Sequence, residues 1–554
     1  MSIFITFAQI IICSVMKFVR YIIAFVAIAL LTCMAHARTV EIKMSQCAKP
    51  LVDNIKKVAT TLSYDDTLIL YFDKSGKYVI DGTIRINCNV VIKGVDSQST
   101  KIIVKEGFAN GKSKFTDDCF FRIKGNPNHK ISAEIRDLCF EIEPHKGILW
   151  ENSEKLLVKI WDADGVLVDN VVSKMRDAEI TNLDLRECSN VLVQNCEFEN
   201  YNNCEVGGCL WSRGAQKNIH IVNNVFRKYG KDEVLGCWGG VHETDFEIKN
   251  IVVENNEFYL DNKTGSKLLD VRNFIAFNHT YNEKAQTYCT LDSILFKNNK
   301  IIINAPLNRI LMTAFCKYAI VKNLEISYNE IVCTSKCSRK NSFMNDIDII
   351  SELGDNINVK IDNNYLSSKG EILSDDKNSG HTFLSCQNAN ISATNNIIEN
   401  DYPQRFVWCH EGSLRLNLDN NSVSNIYTSA TLSSSKTIDN VLITATNNIF
   451  SGDTRIYCRN VKTMDLVYKN NVFNSSNYHF FLHESANQTS IEFDGNIVNA
   501  QIGKGVFYAN YSNKDYKFSK AIITNNTFNG LNKKSIEGSL KQSKKLTLRG
   551  NIYR

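Results

Sequence analysis

From about residue 190 to the end of the chain one pattern keeps returning: alternating apolar residues, two asparagines, any residue, then a large apolar one. It reads Ile219-His-Ile-Val-Asn-Asn-Val-Phe226 and Ile251-Val-Val-Glu-Asn-Asn-Glu-Phe258. Further copies stand at Asn298-Asn299, Asn363-Asn364, Asn395-Asn396, Asn420-Asn421, Asn447-Asn448, Asn470-Asn471 and Asn525-Asn526. Degenerate copies at Asn195-Cys196, Tyr328-Asn329, Gly495-Asn496 and Gly550-Asn551 fill the gaps. Between Asn224 and Asn551 the interval ranges from 23 to 43 residues with a mean near 30, so a fixed core carries loops of variable length. A length of 554 residues would ordinarily mean several globular domains, but this regularity points to one long repetitive domain.

The local period decides what the repeat builds. Ile-x-Ile alternation before each Asn pair is strand-like, with every second side chain inward, and the three- and four-residue spacing of a helix is absent. Asn after a strand suits a left-handed backbone bend. In stacked copies its amide can hydrogen-bond along the stack and satisfy the turn. Each repeat is therefore one coil of several short strands resting on its neighbours at about 4.8 Å. Fourteen or fifteen such coils make a rod on the order of 70 Å long.

The N-terminal part fits the same plan. Leu51, Val52, Ile55, Val58, Ala59 and Leu62 fall on one face of an amphipathic helix, which would cover the open end of the first coil. Strand-like segments follow at residues 67–72, 77–80, 84–86 and 90–94. Ahead of the helix, Lys17 and Arg20, an apolar stretch from Tyr21 to Met34, and Ala35-His-Ala37 read as a cleaved signal peptide starting at Met16. The expected layout is a signal peptide over 1–37, an N-terminal cap over 38–80 and the solenoid over 81–554. The mature chain is then secreted, periplasmic or at the cell surface, without a membrane segment; a lipid anchor at Cys33 is the other reading of the leader. Charge gives no case for nucleic acid: 64 Lys and Arg against 59 Asp and Glu leave +5, spread along the chain.

The helix, then Leu68-Ile-Leu-Tyr-Phe, Gly76-Lys-Tyr-Val-Ile, Asn89-Val-Val-Ile-Lys-Gly and the Asn-Asn-x-Phe ladder resemble the right-handed parallel β-helix proteins of the pectin-lyase-like superfamily. The resemblance spans about residues 45–554. It implies an all-β, single-stranded right-handed parallel β-helix with an N-terminal capping helix. It does not imply one function, because such scaffolds host hydrolases, lyases, epimerases, esterases and adhesins.

Chemistry is sought where charged and aromatic residues recur in adjacent coils. Glu205-Val-Gly-Gly-Cys-Leu-Trp211-Ser-Arg213 precedes one Asn pair, Asp232-Glu233 through Trp238, His242 and Glu243 follows it, and Asp270 and Arg272 stand in the next coil. Cys209 lies thirteen residues after Cys196 and Cys237 thirteen after Asn224, which would set Trp211 beside Trp238 and Glu205 beside Asp232 and Glu233. Carboxylates one coil apart suit glycoside cleavage: one donates a proton to the leaving oxygen while another activates water or attacks the sugar. Trp faces stack on sugars, and Arg213, Arg272 and Arg309 could hold an acidic one. The site is faintly similar to that of polygalacturonase-like glycosidases, through Asn203-Cys-Glu205, Gly230-Lys-Asp-Glu233 and Arg309-Ile310, but lacks their Gly-His-Gly and has Leu311 in place of a lysine.

The reading is thus a secreted carbohydrate-active enzyme, a glycoside hydrolase, with Glu205, Asp232 and Glu233 catalytic and Trp211, Arg213, Trp238, His242, Glu243, Asp270, Arg272 and Arg309 binding a polysaccharide. The alternatives are a polysaccharide lyase and a non-catalytic glycan-binding rod. No metal site is read and no cofactor is required; Ca2+ enters only with the lyase. Cys386 and Cys409 end matching strands, which predicts a buried thiol stack in preference to a bridge. The lysine-rich final coil, Lys533 to Arg549, predicts a charge-capped monomer.

Overall fold

The structure, a computed structural model, describes residues 37–554 except 81, 106–118, 147–148, 150–154, 202–207, 230–232, 239–243, 261–270, 279–288, 305–306, 314–318, 335–336, 340–343, 351–356, 370–371, 375–380, 402–403, 410–411, 453–455, 476–479, 482–487, 501–506, 509–517 and 542. For some strand residues only the backbone is described. Among the described residues forty-four strands join one sheet by parallel pairing and wind into a right-handed parallel β-helix. Each coil visits three faces, here A, B and C. In one coil these are Gln216–Val222, Val225–Tyr229 and Leu235–Trp238, before Phe246–Glu254 returns to face A.

Face A runs through seventeen successive parallel pairings, from Thr39–Lys43 on Thr67–Tyr71 to Lys520–Thr524 on Leu546–Arg549. The ladder has more rungs than the Asn motif counts, because the coils of residues 39–142 have no Asn pair at their corners. At the spacing of parallel strands the rod is on the order of 80 Å long. Helix α1, Leu51–Ala59, lies over the first coil with Leu51, Val52 and Ile55 in the same apolar core as Ile80, Ile84 and Ile86. It stops at Thr60, one turn short of Leu62. A second helix, α2, Lys533–Leu540, was not foreseen; it buries Ile536 and Leu540 near the last coil. Among the described residues no helix is long and apolar enough to cross a membrane.

The A–B corner explains the repeat. The first residue of each pair takes a positive φ, such as +56° at Asn223, +54° at Asn395 and +57° at Asn525. The second points inward and is buried. Asn396 is representative: its Nδ2 donates to Ile361 O at 2.9 Å and to Asn421 Oδ1 at 2.9 Å, while its Oδ1 accepts from Asn364 N and Nδ2, both at 3.0 Å. The same bonds run without a break from Asn224 to Asn551, so the amide closes a buried turn that would otherwise leave backbone groups unpaired. Large apolar residues stack behind it, as in Phe198–Phe226–Phe258 with centroids 5.4 and 4.9 Å apart.

One corner breaks the pattern. Tyr328 holds φ +56° where its counterparts are Asn or Gly, and it is exposed. An aromatic side chain gains nothing from the left-handed region, so Tyr328→Asn is expected to raise the unfolding free energy by about 1 kcal/mol, less a weak contact with Lys297. A guanidinium unfolding midpoint unchanged or lowered by the substitution would contradict this.

Cys386 and Cys409 are register partners and both are buried, as the coil register at this place predicts. Burial pushes the thiols of Cys209, Cys237 and Cys289 up to about 12, so these cysteines are packing groups and not nucleophiles.

Candidate functional site on face C

Face C is bordered on both sides by the loops that vary in length, whereas the A–B corner is a fixed two-residue turn. Variable chemistry therefore gathers on face C. Its inward rungs are apolar: Val158, Ile160, Leu183, Leu185, Leu210 and Leu235 belong to the core. Its outward rungs are not. Arg122, Lys159, Asp184, Trp211 and Gly236 share one rung line, and Lys124, Trp161, Arg186, Arg213 and Trp238 share the next.

Asp184 organises these rungs. Its side chain is fully buried; Arg186 Nε donates to Oδ2 at 2.8 Å, and Arg213 Nε lies 2.9 Å from Oδ1 as an ion pair without hydrogen-bond alignment. Burial pushes the carboxyl above its ordinary value, with Arg213, Arg186 and Lys159 pulling it back. Both guanidinium side chains keep some exposure, 26% for Arg186 and 19% for Arg213. Around them Lys124 Nζ sits 3.8 Å from the Trp161 ring centre, and the Arg213 guanidinium 4.4 Å from that of Trp211. The surface is thus basic with Trp161 half-buried in it, a single buried acid ties two arginines in place, and Trp211 itself is buried at 2% exposure with Leu156 and Cys119.

Trp211 lies across Gly208. A Cβ at Gly208 would collide with the indole Nε1 and stand 2.7 Å from the carbonyl oxygen of Glu233, so only glycine lets these three segments close up. Gly208 O accepts from Asn182 N at 3.1 Å and Asn200 Nδ2 at 3.0 Å. Asn200 Oδ1 in turn accepts from the buried Lys228 Nζ at 3.1 Å. A polar cluster inside the coil therefore fixes the segment on which Trp211 and Glu233 meet, and Glu233 itself is buried.

Of the residues singled out from sequence, Trp211 and Arg213 are brought together here, and the main-chain carbonyl of Glu233 stands against Gly208 beside them. Trp238, Arg272 and Arg309 occupy face C strands, with only their backbones described. Glu205, Asp232, His242, Glu243 and Asp270 lie outside the described residues. The expected register needs correction. Leu210 pairs with Leu235, so Trp211 stands level with Gly236, Trp238 level with Arg213, and Cys237 level with Ser212 instead of Cys209. The same coils are offset by 28 residues on face B (Glu197 to Val225) and by 25 on face C, because the loop between the two faces is three residues shorter in the second coil. Sequence reasoning missed Lys124, Lys159, Trp161, Asp184 and Arg186. Their signal was the alternation Lys159-Ile-Trp161 and Leu183-Asp-Leu-Arg186, polar or aromatic against apolar, in coils that precede the Asn ladder.

Among the described residues no three His, Cys, Asp or Glu side chains converge to hold a metal ion. Asp184, already flanked by two guanidinium groups, does not suit Ca2+.

No protein-family model matches the chain, and no curated protein does. Twenty-two solved chains match it. The A-module of the Azotobacter vinelandii mannuronan C-5 epimerase AlgE6 is similar at 12% identity and TM-score 0.41, covering 72% of this chain and 94% of that one. The family 28 exopolygalacturonase of Yersinia enterocolitica is similar at 11% identity and TM-score 0.38, covering 80% and 78%. The N-terminal fragment of bacteriophage Phi29 gene product 12 is similar at 10% identity and TM-score 0.36, covering 86% of each. These likenesses concern the path of the backbone and leave the reaction open.

Proposed function

We propose that this protein is an exported carbohydrate-active enzyme, a glycoside hydrolase that lays a polysaccharide along face C and cleaves it beside Trp211. The observation that carries the reading is the partly exposed Arg186 and Arg213 pair tethered by the buried Asp184, with the Glu233 backbone closing on Gly208 beside the buried Trp211. Arg186 and Arg213 hold the sugar by charge and hydrogen bonds, Trp211 backs Arg213 from within, and Glu233 serves as proton donor. Asp232 or Glu205 activates the water.

The test is reducing-end release from a panel of acidic and neutral polysaccharides. The Asp232→Asn, Glu233→Gln protein is expected to lose activity at least 100-fold on the polymer that the parent cleaves. Equal release by the two proteins would sink the assignment. The basic character of the outer rungs favours a second reading, β-elimination on a uronate, in which Arg186 and Arg213 neutralise the sugar carboxylate and a lysine or arginine takes the proton. Ca2+ would then fall to Glu205 and Asp232. An ultraviolet-absorbing unsaturated product end identifies that route; binding without any product identifies a glycan-binding rod.

A further inference from the structure

All the tryptophans among the described residues stand in strands, and each of those strands belongs to face C: those of Trp161, Trp211, Trp238 and Trp408. Trp211 and Trp408 share one rung line. Between them the register runs Gly236, Ala276, Thr313, Asp348 and Ser385, six pairings in all. At about 4.8 Å per coil the two indoles are roughly 29 Å apart along the rod. Along that line Ala276 and Ser385 are fully buried, as is Trp211 at its near end, where Arg213 is the partly exposed group.

The far end repeats the chemistry of the near one. The Arg405 guanidinium lies 4.8 Å from the Trp408 ring centre, as Arg213 lies over Trp211. Thr382 pairs with Arg405 in register. Leu384 and Cys386 fill the core, so Ser385 is on the outward side; the ladder skips Phe383, also in the core, and Thr382 before it stands level with the half-buried Arg405. The Thr382 hydroxyl is fully buried and has no hydrogen-bond partner among the described residues. A buried hydroxyl with no partner beside an arginine–indole pair is a group waiting for a polar ligand.

We infer that Trp408, Arg405 and Thr382 form a second glycan-binding platform, and that the ligand is a long polysaccharide chain laid along the rod axis from there to Arg213, which lies over Trp211. The inference rests on the reading of face C as the glycan-binding face. Trp408 stacks on a sugar ring, Arg405 faces its acidic or hydroxyl groups, and Thr382 takes one hydrogen bond. Grip at both ends favours polymer over oligomer, because linked contacts act at high effective concentration.

The test is retardation of the Asp232→Asn, Glu233→Gln protein in native gels cast with polygalacturonate, alginate, hyaluronan or dextran, alongside fluorescence titration with a trisaccharide of the retarding polymer. Adding Trp408→Ala is expected to weaken polymer binding at least tenfold and leave trisaccharide binding unchanged. Thr382→Val, which keeps the shape and removes only the unpaired hydroxyl, is expected to melt no lower than its background and still to weaken polymer binding. Equal retardation with and without these substitutions overturns the platform. Retardation without cleavage by the parent protein leaves the platform standing and removes the hydrolase; absence of retardation in all four gels removes both.

Discussion

Replacing Asn396 by alanine is expected to lower the unfolding free energy by about 4 kcal/mol, the largest effect of any single polar substitution in the solenoid. The change deletes the bonds to Ile361 O and Asn421 Oδ1 and removes the acceptor of Asn364 N and Nδ2. Every orphaned group is buried. A lost hydrogen bond costs about 1 kcal/mol net, but a buried group left unpaired costs about 1–3 kcal/mol, and here two backbone groups, Ile361 O and Asn364 N, lose this partner outright, while Asn364 Nδ2 keeps Ile326 O and Asn421 Oδ1 keeps Asn396 N. Asn396→Asp is expected to do no better, since its second oxygen would face the two oxygens that the amide now satisfies. The neighbouring corner residue is the control: Asn395 is exposed at φ +54°, so Asn395→Gly keeps the turn and is expected to change stability by less than about 1 kcal/mol. Guanidinium unfolding of the three proteins decides this. A loss below 1 kcal/mol for Asn396→Ala would mean that the ladder is decoration on a fold held by its apolar core.

Arg213→Met is expected to destabilise the protein by about 3 kcal/mol at pH 7, and by progressively less as the pH falls. Arg213 is one of the two guanidinium charges that oppose the effect of burial on Asp184, whose side chain is fully buried. Removing it leaves a buried carboxylate with Arg186 as its close partner, so its folded-state pKa rises further above the unfolded value. A group raised in this way contributes stability that is fully present below the unfolded pKa, about 3.9, and is lost as the pH climbs through the folded one. The variant therefore suffers most at neutral pH and recovers in acid, where Asp184 is protonated. Adding Asp184→Asn to Arg213→Met is expected to restore part of the loss at pH 7 and to flatten the pH profile. A deficit that stays constant between pH 4 and pH 8 would show that Arg213 acts by packing over Trp211 and not through charge.

The corner was legible because two physical demands fall on adjacent residues with one side-chain type. Asn tolerates the left-handed turn at the first position and bonds along the stack at the second, so the pair writes itself into every coil. The register of face C was not legible in the same way. Counting thirteen residues from Cys196 and from Asn224 assumed equal loops, and a difference of three residues moved Trp238 from Trp211 to Arg213. Residues before 190 escaped for another reason. Those coils turn at corners without Asn pairs, where Asp137 and Asn170 hold the positive φ, so Asp184 and Trp161 could not be placed above one another by motif. Nor does sequence alone distinguish the exposed acid of a solenoid loop from Asp184, buried by long side chains that arrive from neighbouring coils.

The direct measurement of the central claim is a crystal structure of the Asp232→Asn, Glu233→Gln protein soaked with a long oligosaccharide of the polymer that it binds best. The account places the sugar chain along the outer surface of face C, with acidic or hydroxyl groups on Arg186 and Arg213 and a glycosidic oxygen within hydrogen-bonding reach of residue 233. Sugar lying along face A or face B, or crossing face C without contact to Arg186 and Arg213, would contradict it.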